Sequence, residues 1–389
     1  MDGELATLAN PLMHEIGPAT PRVPDPFIPL ELPDGTVIVS ADGHWELDED
    51  IFYEGFPAHL KEKAPRVWHD GFTRIGFKDG KQAYPLSEKV MKAIHANIGP
   101  GAADIVVRMD HMAAEGVEKE ILFPQSIPSF FRLPDLEVRE AMFRVYNDYI
   151  ARVSQRKPGV FFGVGVFANW WDPAKAEDSM RQIVDLGLKT FLIPILPGEN
   201  SVDGKTIAYG DPIMDRFWDV VEEAGLPVNF HVGEGVDTAH RGGIAARVMT
   251  SLAPFRKPLA ELIFSGTFDR HPRLRIVFSE GGMSWVPPAL QDAEMIFDSY
   301  GNGNLLDPIK RRPSEYWHEH CYASFQNDLL GLSQLDYIGA DRVMWASDYP
   351  HSEGSFGFSR RSIQSVIDAA GSEAAGRIVG GTAIELYDR

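Results

Sequence analysis

Four places in this sequence put oxygen and imidazole side chains where an extended apolar run ends. Asp42-Gly43-His44 follows Val37-Ile38-Val39-Ser40-Ala41, and His231 ends Pro227-Val228-Asn229-Phe230. Glu280 closes the run that starts at Leu274, and Asp348, with His351 just beyond, follows Val343-Met344-Trp345-Ala346-Ser347. Carboxylates and imidazoles are the donors that Zn, Mn or Fe ions take, with one position left open for water in a catalytic site. Asp42 and His44 alternate by two, so in an extended chain both point to the same side. Each fragment alone has an ordinary reading. Asp-Gly-His is a common turn, a lone histidine can be a buried hydrogen-bonding group, and Asp348 before Tyr349-Pro350 can shape a turn. Glu280 before Gly281-Gly282 can be a surface acid. Independent accidents at four strand ends are a poorer account than one shared metal centre.

Such convergence needs a scaffold, and the rest of the chain supplies its rhythm. Apolar spacing near 3.6 predicts helices over residues 103–115, 136–152, 173–186, 211–224, 285–300, 329–338 and 359–369. More helix is expected over 374–387, and over 245–268 with a break at Pro254 to Pro258. Short β-rich runs between them predict strands at 37–41, 120–123, 160–167, 190–196, 228–231, 274–278, 322–325 and 343–346. Strands alternating with helices require parallel pairing through right-handed crossovers. The expected fold class is α/β, a (β/α)8 TIM barrel, with an open doubly wound sheet as the alternative that rhythm alone allows. Eight strands with polar residues at their C-terminal ends favour the barrel, and no Gly-x-Gly-x-x-Gly turn follows the first strand. Residues 1–36, with prolines from Pro11 to Pro33, read as an arm lying on the barrel or on a neighbouring subunit. Residues 37–389 read as a single barrel domain, with 45–101 an insertion after strand one that should contain some helix and cover a site.

Composition narrows the partners. The formal charge of −19 disfavours nucleic acid and anionic membranes, which are themselves negative. No stretch approaches the roughly 20 apolar residues of a membrane span. The single cysteine, Cys321, allows no internal disulfide and no thiolate cage, which suits a reducing, cytoplasmic setting. In Cys321-Tyr322-Ala323-Ser324-Phe325 it reads as a buried strand thiol. The partner left is a small-molecule substrate. Arg108 and His240 are candidates to bind it, as are Asp110, His318 and His320, although each is commoner as a structural or surface residue. Trp45, Trp170, Trp171 and Phe130 could line an aromatic pocket, although core packing explains such residues more often than not. His69 and His95, in the insertion, receive no role.

The chain resembles the amidohydrolase-related family that includes aminocarboxymuconate-semialdehyde decarboxylase and γ-resorcylate decarboxylase. The likeness runs from about Val37 to Tyr387 and rests on Ser40-Ala41-Asp42-Gly43-His44, Gly225-Leu226-Pro227-Val228-Asn229-Phe230-His231, Phe278-Ser279-Glu280-Gly281-Gly282, Trp285-Val286-Pro287, Ser347-Asp348-Tyr349-Pro350-His351 and Gly380-Gly381-Thr382-Ala383-Ile384-Glu385-Leu386-Tyr387. It implies a divalent metal held by Asp42, His44, His231 and Asp348, with Asp42 standing where the family has His or Glu. It implies a histidine at the end of strand six that handles the proton in decarboxylation; this chain has Glu280 there. A carboxylate beside a cation is a poor proton donor and a good ligand. The leading expectation is therefore a metal-dependent hydrolase, with Asp348, Glu280 and His351 as catalytic groups and one or two ions of Zn, Mn or Fe. Asp348 would share the proton of bound water, and Glu280 and His351 would bind a second ion or orient substrate. The alternatives are non-oxidative decarboxylation of a small aromatic or unsaturated acid, a dinuclear iron oxygenase, and a non-catalytic barrel. The resemblance and the arm suggest a homodimer or larger assembly.

Overall fold

Strands buried on both faces, separated by capped amphipathic helices, build a nearly closed barrel. The computed structural model describes residues 22–69, 73–77, 100–125, 127–234, 254–300 and 309–388, with residues 245, 246, 249 and 250. The barrel strands are β1 (Val39–Trp45), β2 (Lys119–Pro124), β3 (Phe161–Val166), β4 (Thr190–Leu192), β5 (Val228–His231), β6 (Ile276–Ser279), β7 (Cys321–Phe325) and β8 (Val343–Trp345). They pair in parallel in chain order as one eight-stranded sheet. Almost every strand residue is buried, as expected of a parallel sheet with helices outside and side chains filling the barrel. Cys321 lies buried at the start of β7, and burial pushes its thiol pKa up.

Closure runs through the candidate ligands. Asp348 N donates to Asp42 O at 2.9 Å and His44 N donates to Tyr349 O at 2.7 Å. Ser40 Oγ accepts from Ser347 N at 2.9 Å just below them. The β1 register against β2 shifts between Ser40 and Gly43, a bulge that re-aims the strand where Asp42 leaves it. Asp42 and His44 thus lie inside β1, which runs four residues further than the apolar run predicted.

The flanking helices are α1 (Ile105–Glu115), α2 (Leu136–Gln155), α3 (Ala176–Asp185), α4 (Asp215–Ala224), α5 (Arg256–Phe264), α6 (Val286–Tyr300), α7 (Pro313–His320) and α8 (Ser359–Ala370). Their starts follow local chemistry. Asp104 accepts from Val106 N and Val107 N, and Asp135 from Val138 N. Gly116 and Gly225 take the left-handed conformation that ends α1 and α4. The sequence pattern did not predict α7. Arg311, Arg312, Glu315 and Glu319 mask a buried stripe of Tyr316, Trp317 and His320. The helix expected over 329–338 is two short ones, Leu329–Leu332 and Leu335–Ile338. Because α7 leads into the start of β7, His318 and His320 lie at the end of the barrel opposite the ligands. His320 hydrogen-bonds Leu274 O at 2.9 Å and stacks on Phe268, a packing role rather than a pocket role.

The insertion after β1 holds a short helix, Ile51–Gly55, a 3-10 turn, Ala58–Lys63, and a hairpin pairing Arg66–His69 with Thr73–Gly76. The hairpin is an addition to the helix expected there. His95, with all of residues 78–99, lies outside the described residues. Among the described residues, no helix is long and apolar enough to cross a membrane.

Candidate metal centre

At the C-terminal end of the strands, six side chains from β1, β5 and the segments after β6 and β8 meet. His44 Nε2 stands between two carboxylates, 3.5 Å from Asp42 Oδ1 and 3.2 Å from Asp348 Oδ1. His231 Nε2 lies 3.3 Å from Asp42 Oδ2, and its Nδ1 faces both Val232 O at 2.9 Å and Glu280 Oε2 at 3.3 Å. His351 Nδ1 lies 3.1 Å from Asp348 Oδ1 and 3.5 Å from Glu280 Oε1. The His44 and His351 rings stack at 4.1 Å. A proton on His231 Nδ1, donated to the Val232 carbonyl, leaves Nε2 with its lone pair toward the centre, as a metal ligand requires.

These atoms form two overlapping groups, each compact enough for one ion. One is Asp42, His44, His231 and Glu280; the other is His44, Glu280, Asp348 and His351. His44 and Glu280 belong to both. The four residues expected to share one ion are thus divided, with Asp348 in the second group and joined to the first through His44.

The donor set fits a cation. Asp42 Oδ2, both oxygens of Asp348, both ring nitrogens of His44 and His351 Nδ1 are buried without a hydrogen-bond partner. Buried polar atoms left unpaired cost several kcal/mol unless something satisfies them. Protons partly do so in the metal-free chain. Burial raises Asp42 to about 7, against the pull of His231. Burial opposes charge on His231 as well, but Asp42 and Glu280 outweigh it and hold its pKa near 9. His351 is likewise raised, with Asp348 and Glu280 overcoming its burial. His44 is pushed down by burial and by the neighbouring histidines, so its ring stays neutral. A divalent ion would replace this proton sharing with direct ligation.

Backbone geometry also marks the site. Glu280 and Asp348 adopt positive φ, 68° and 53°, a conformation that costs a non-glycine residue about 1–2 kcal/mol. Gly43 is required by close approach. A Cβ there would sit 2.2 Å from Glu120 Oε1 and 2.9 Å from Arg108 Nη2.

Arg108 corrects an expectation. Its side chain is wholly buried behind β1, and its donors go to Glu120, His44 O at 2.8 Å, Gly101 O and Tyr349 O. It organises the backbone of the centre and has no donor aimed at a substrate. Asp110 is exposed on α1. His240 lies outside the described residues. The supposed aromatic pocket is core: Trp45 donates to Tyr149 Oη and Trp170 to Pro197 O, both fully buried, and Trp171 and Phe130 are buried too. Phe123, near the end of β2, is an aromatic ring beside the centre, 4.5 Å from His231.

Three neighbours escaped the sequence reading. Glu46 continues the alternation of Asp42 and His44, is buried, and accepts a hydrogen bond from Thr73 of the hairpin, which also contacts His69 Nδ1 at 3.2 Å. Extending the two-residue alternation by one step would have found it. Gln125, just past β2, hydrogen-bonds His351 Nε2 at 3.0 Å. Glu234, past β5, accepts from Ile195 N and from Leu196 N at 2.9 Å, binding two rim loops together.

Comparison with known proteins places the fold and the family. A family model described as amidohydrolase matches residues 129–389. γ-Resorcylate decarboxylase from Rhizobium sp. (strain MTP-10005) is 27% identical over 259 residues, 62% of this chain and 76% of that protein. 2-Amino-3-carboxymuconate-6-semialdehyde decarboxylase from Dictyostelium discoideum is 27% identical over 248 residues, 62% of this chain and 64% of that protein. Among solved structures, an amidohydrolase from Mycobacterium avium subsp. paratuberculosis superposes with TM-score 0.71 at 18% identity, over 90% of this chain and 99% of its own. A dihydroxybenzoic acid decarboxylase from Polaromonas sp. JS666, with bound manganese and 2-nitroresorcinol, gives 0.66 at 18% identity, over 91% and 97%. The structural likenesses establish the barrel.

Proposed function

The chain belongs to the amidohydrolase family, and within it we propose a metal-dependent, non-oxidative decarboxylase of a small aromatic or unsaturated carboxylic acid. The relatives favour this reading over the hydrolysis that Glu280 suggested, since the curated proteins named above are decarboxylases. The observation that carries it is the buried cluster around His44, whose unpartnered atoms call for a cation. Asp42, His44 and His231 would hold a divalent ion such as manganese or zinc, with Asp348 on the other side of His44. Such an ion supplies Lewis acidity, gripping substrate oxygens and offsetting the charge that develops as carbon dioxide leaves.

The chain's own groups do the rest. Loss of carbon dioxide breaks the bond between the carboxyl carbon and its neighbour, and the electron pair left on that neighbour takes a proton. We assign proton delivery to His351. It is the most exposed member of the cluster, at 15%, against 0–7% for the others, so it faces arriving substrate. Its outer nitrogen, Nε2, would carry the transferred proton, which Gln125 Oε1 accepts at 3.2 Å until substrate takes that place. Glu280, 3.5 Å from His351 Nδ1, orients the ring and balances its charge. The acting unit in this reading is one barrel domain, residues 37–389, with residues 1–36 as an arm, in a cytoplasmic homodimer or larger assembly.

A second reading has a specific observation behind it. Two ligand groups sharing His44 and Glu280 suit two ions and metal-assisted hydrolysis. One experiment separates the two. Protein loaded with Mn or Zn is offered hydroxybenzoic and unsaturated carboxylic acids, then amides and lactones, while bound metal is counted. Carbon dioxide release with one ion per chain supports decarboxylation. Hydrolysis without carbon dioxide, with two ions per chain, overturns it.

A further inference from the structure

The loop after β8 carries Asp348 and His351, and the N-terminal arm lies against it. Arg22 donates from Nη1 to Gly354 O at 2.8 Å and Phe356 O at 3.3 Å, and from Nη2 to Ser352 O. Alternate carbonyls of the loop thus converge on one guanidinium. Three residues on, Asp25 N donates to Gly357 O at 3.0 Å, and the Asp25 carboxylate pairs with Arg361. Further along, Arg360 donates to Ile28 O and covers Phe27.

This grip bears on the metal centre through the backbone. A Cβ at Gly354 would lie 2.4 Å from Ser347 O and 2.9 Å from Asp348 O, so the gripped turn packs directly on the peptide units of the ligand. His351 N bonds Asp348 O at 2.8 Å, Gly354 N bonds His351 O at 3.2 Å, and Ser355 N bonds Ser347 O at 2.8 Å. Asp348 itself holds positive φ, a conformation that persists only where its surroundings enforce it. A loop with this geometry needs an outside hold, and arginine's fixed fork of donors meets several carbonyls at once where lysine's point charge cannot.

We propose that Arg22 is a positioning residue of the metal centre: by spanning the Ser352, Gly354 and Phe356 carbonyls, it fixes the loop that turns Asp348 and His351 toward His44 and Glu280. The assignment rests on the reading of the cluster as a metal site, not on the reaction performed there.

The test uses the full-length chain as wild type, Arg22→Met, Arg22→Lys and Arg360→Met. Manganese and zinc affinities are measured by competition with a fluorescent chelator, and the cobalt-loaded forms by visible absorption. Residues that orient metal ligands are typically worth 10–100-fold in affinity. Arg22→Met should weaken manganese binding at least tenfold and shift the cobalt band, with Arg22→Lys in between. Arg360→Met, which loosens the arm away from the ligand loop, should stay within twofold of wild type. Wild-type affinity in Arg22→Met, or equal weakening in Arg360→Met, overturns the proposal. Should Arg22→Met fail to fold, Arg22→Lys decides alone: threefold weaker or more supports it, unchanged affinity sinks it. If wild type itself takes up no divalent ion, the functional reading falls as well.

Discussion

Replacing Arg108 with methionine keeps much of the stem and removes the guanidinium that ties β1 to the β8 loop from behind. Arg108 and Glu120 form a two-point pair, Nε to Oε2 and Nη2 to Oε1, both 2.8 Å, with side chains 0% and 1% exposed. The substitution leaves Glu120 buried without its cation, which costs about 3–5 kcal/mol. Unfolding entropy near 2.1 cal/mol/K per residue amounts to about 0.8 kcal/mol/K over 389 residues. Calorimetry should therefore show Tm falling by about 4–6 °C. Burial already raises the Glu120 pKa against the pull of Arg108. Without Arg108 the acid escapes its penalty by protonation, so the loss should be larger at pH 8 than at pH 5. Arg108→Met with Glu120→Leu removes both charges and should recover at least half of the lost stability. Metal affinity should stay low in the double variant, because the His44 carbonyl still lacks its donor. A single variant melting within about 1 °C of wild type, or a double variant showing the plain sum of both losses, would refute the pair as a buried structural link.

Stripping metal with a chelator should lower Tm by about 5 °C, since a ligand at a thousand times its Kd contributes about 4 kcal/mol; an unchanged melting curve would contradict the cation site. Asp348→Asn should cut bound metal, counted by elemental analysis, and reduce turnover at least about a hundredfold. Burial lifts Glu234 from 4.5 to about 7 despite two backbone donors. Its contribution is fully present below pH 4.5 and is lost as pH rises through 7, by about 3 kcal/mol. Against wild type, Glu234→Gln should therefore gain stability between pH 5 and pH 8, read from thermal midpoints at both. Glu280→Gly should recover about 1 kcal/mol of backbone strain, so metal-free protein should lose less stability than metal-loaded protein; equal losses would count against a part for Glu280 in the metal centre.

How much of this was legible in the sequence depended on the type of signal. Strand ends were readable because apolar runs stop where Asp42, His231, Glu280 and Asp348 begin, and those residues meet in the structure. Their division into two groups was not readable, since it depends on the β1 bulge and the positive φ of Glu280 and Asp348. Arg108 misled for a general reason. A helix arginine next to an acid looks like an exposed group, and only tertiary pairing with Glu120 buries it. Gln125 and Arg22 were invisible because uncharged or isolated polar residues in loops carry no periodicity. His318 and His320 were misplaced because α7 went undetected, which moved them from one end of the barrel to the other.

The strained residues coincide with candidate ligands for a physical reason. Strands splay outward at the mouth, and a side chain that continued the strand geometry past β6 or β8 would follow them. Left-handed turns at Glu280 and Asp348 fold the carboxylates back toward His44 instead. That backbone has no intrinsic preference for its shape, so neighbours must impose it. Ser324 Oγ accepts from Glu280 N at 3.0 Å, Asp42 O accepts from Asp348 N at 2.9 Å, and Arg22 and Arg108 clamp the β8 loop from two sides. Without a cation, Asp42 Oδ2, both oxygens of Asp348, both ring nitrogens of His44 and His351 Nδ1 have no hydrogen-bond partner, while the backbone around them is braced to keep them together. A fold that spends this much restraint on an unfavourable cluster is arranged for the ion that makes the cluster favourable.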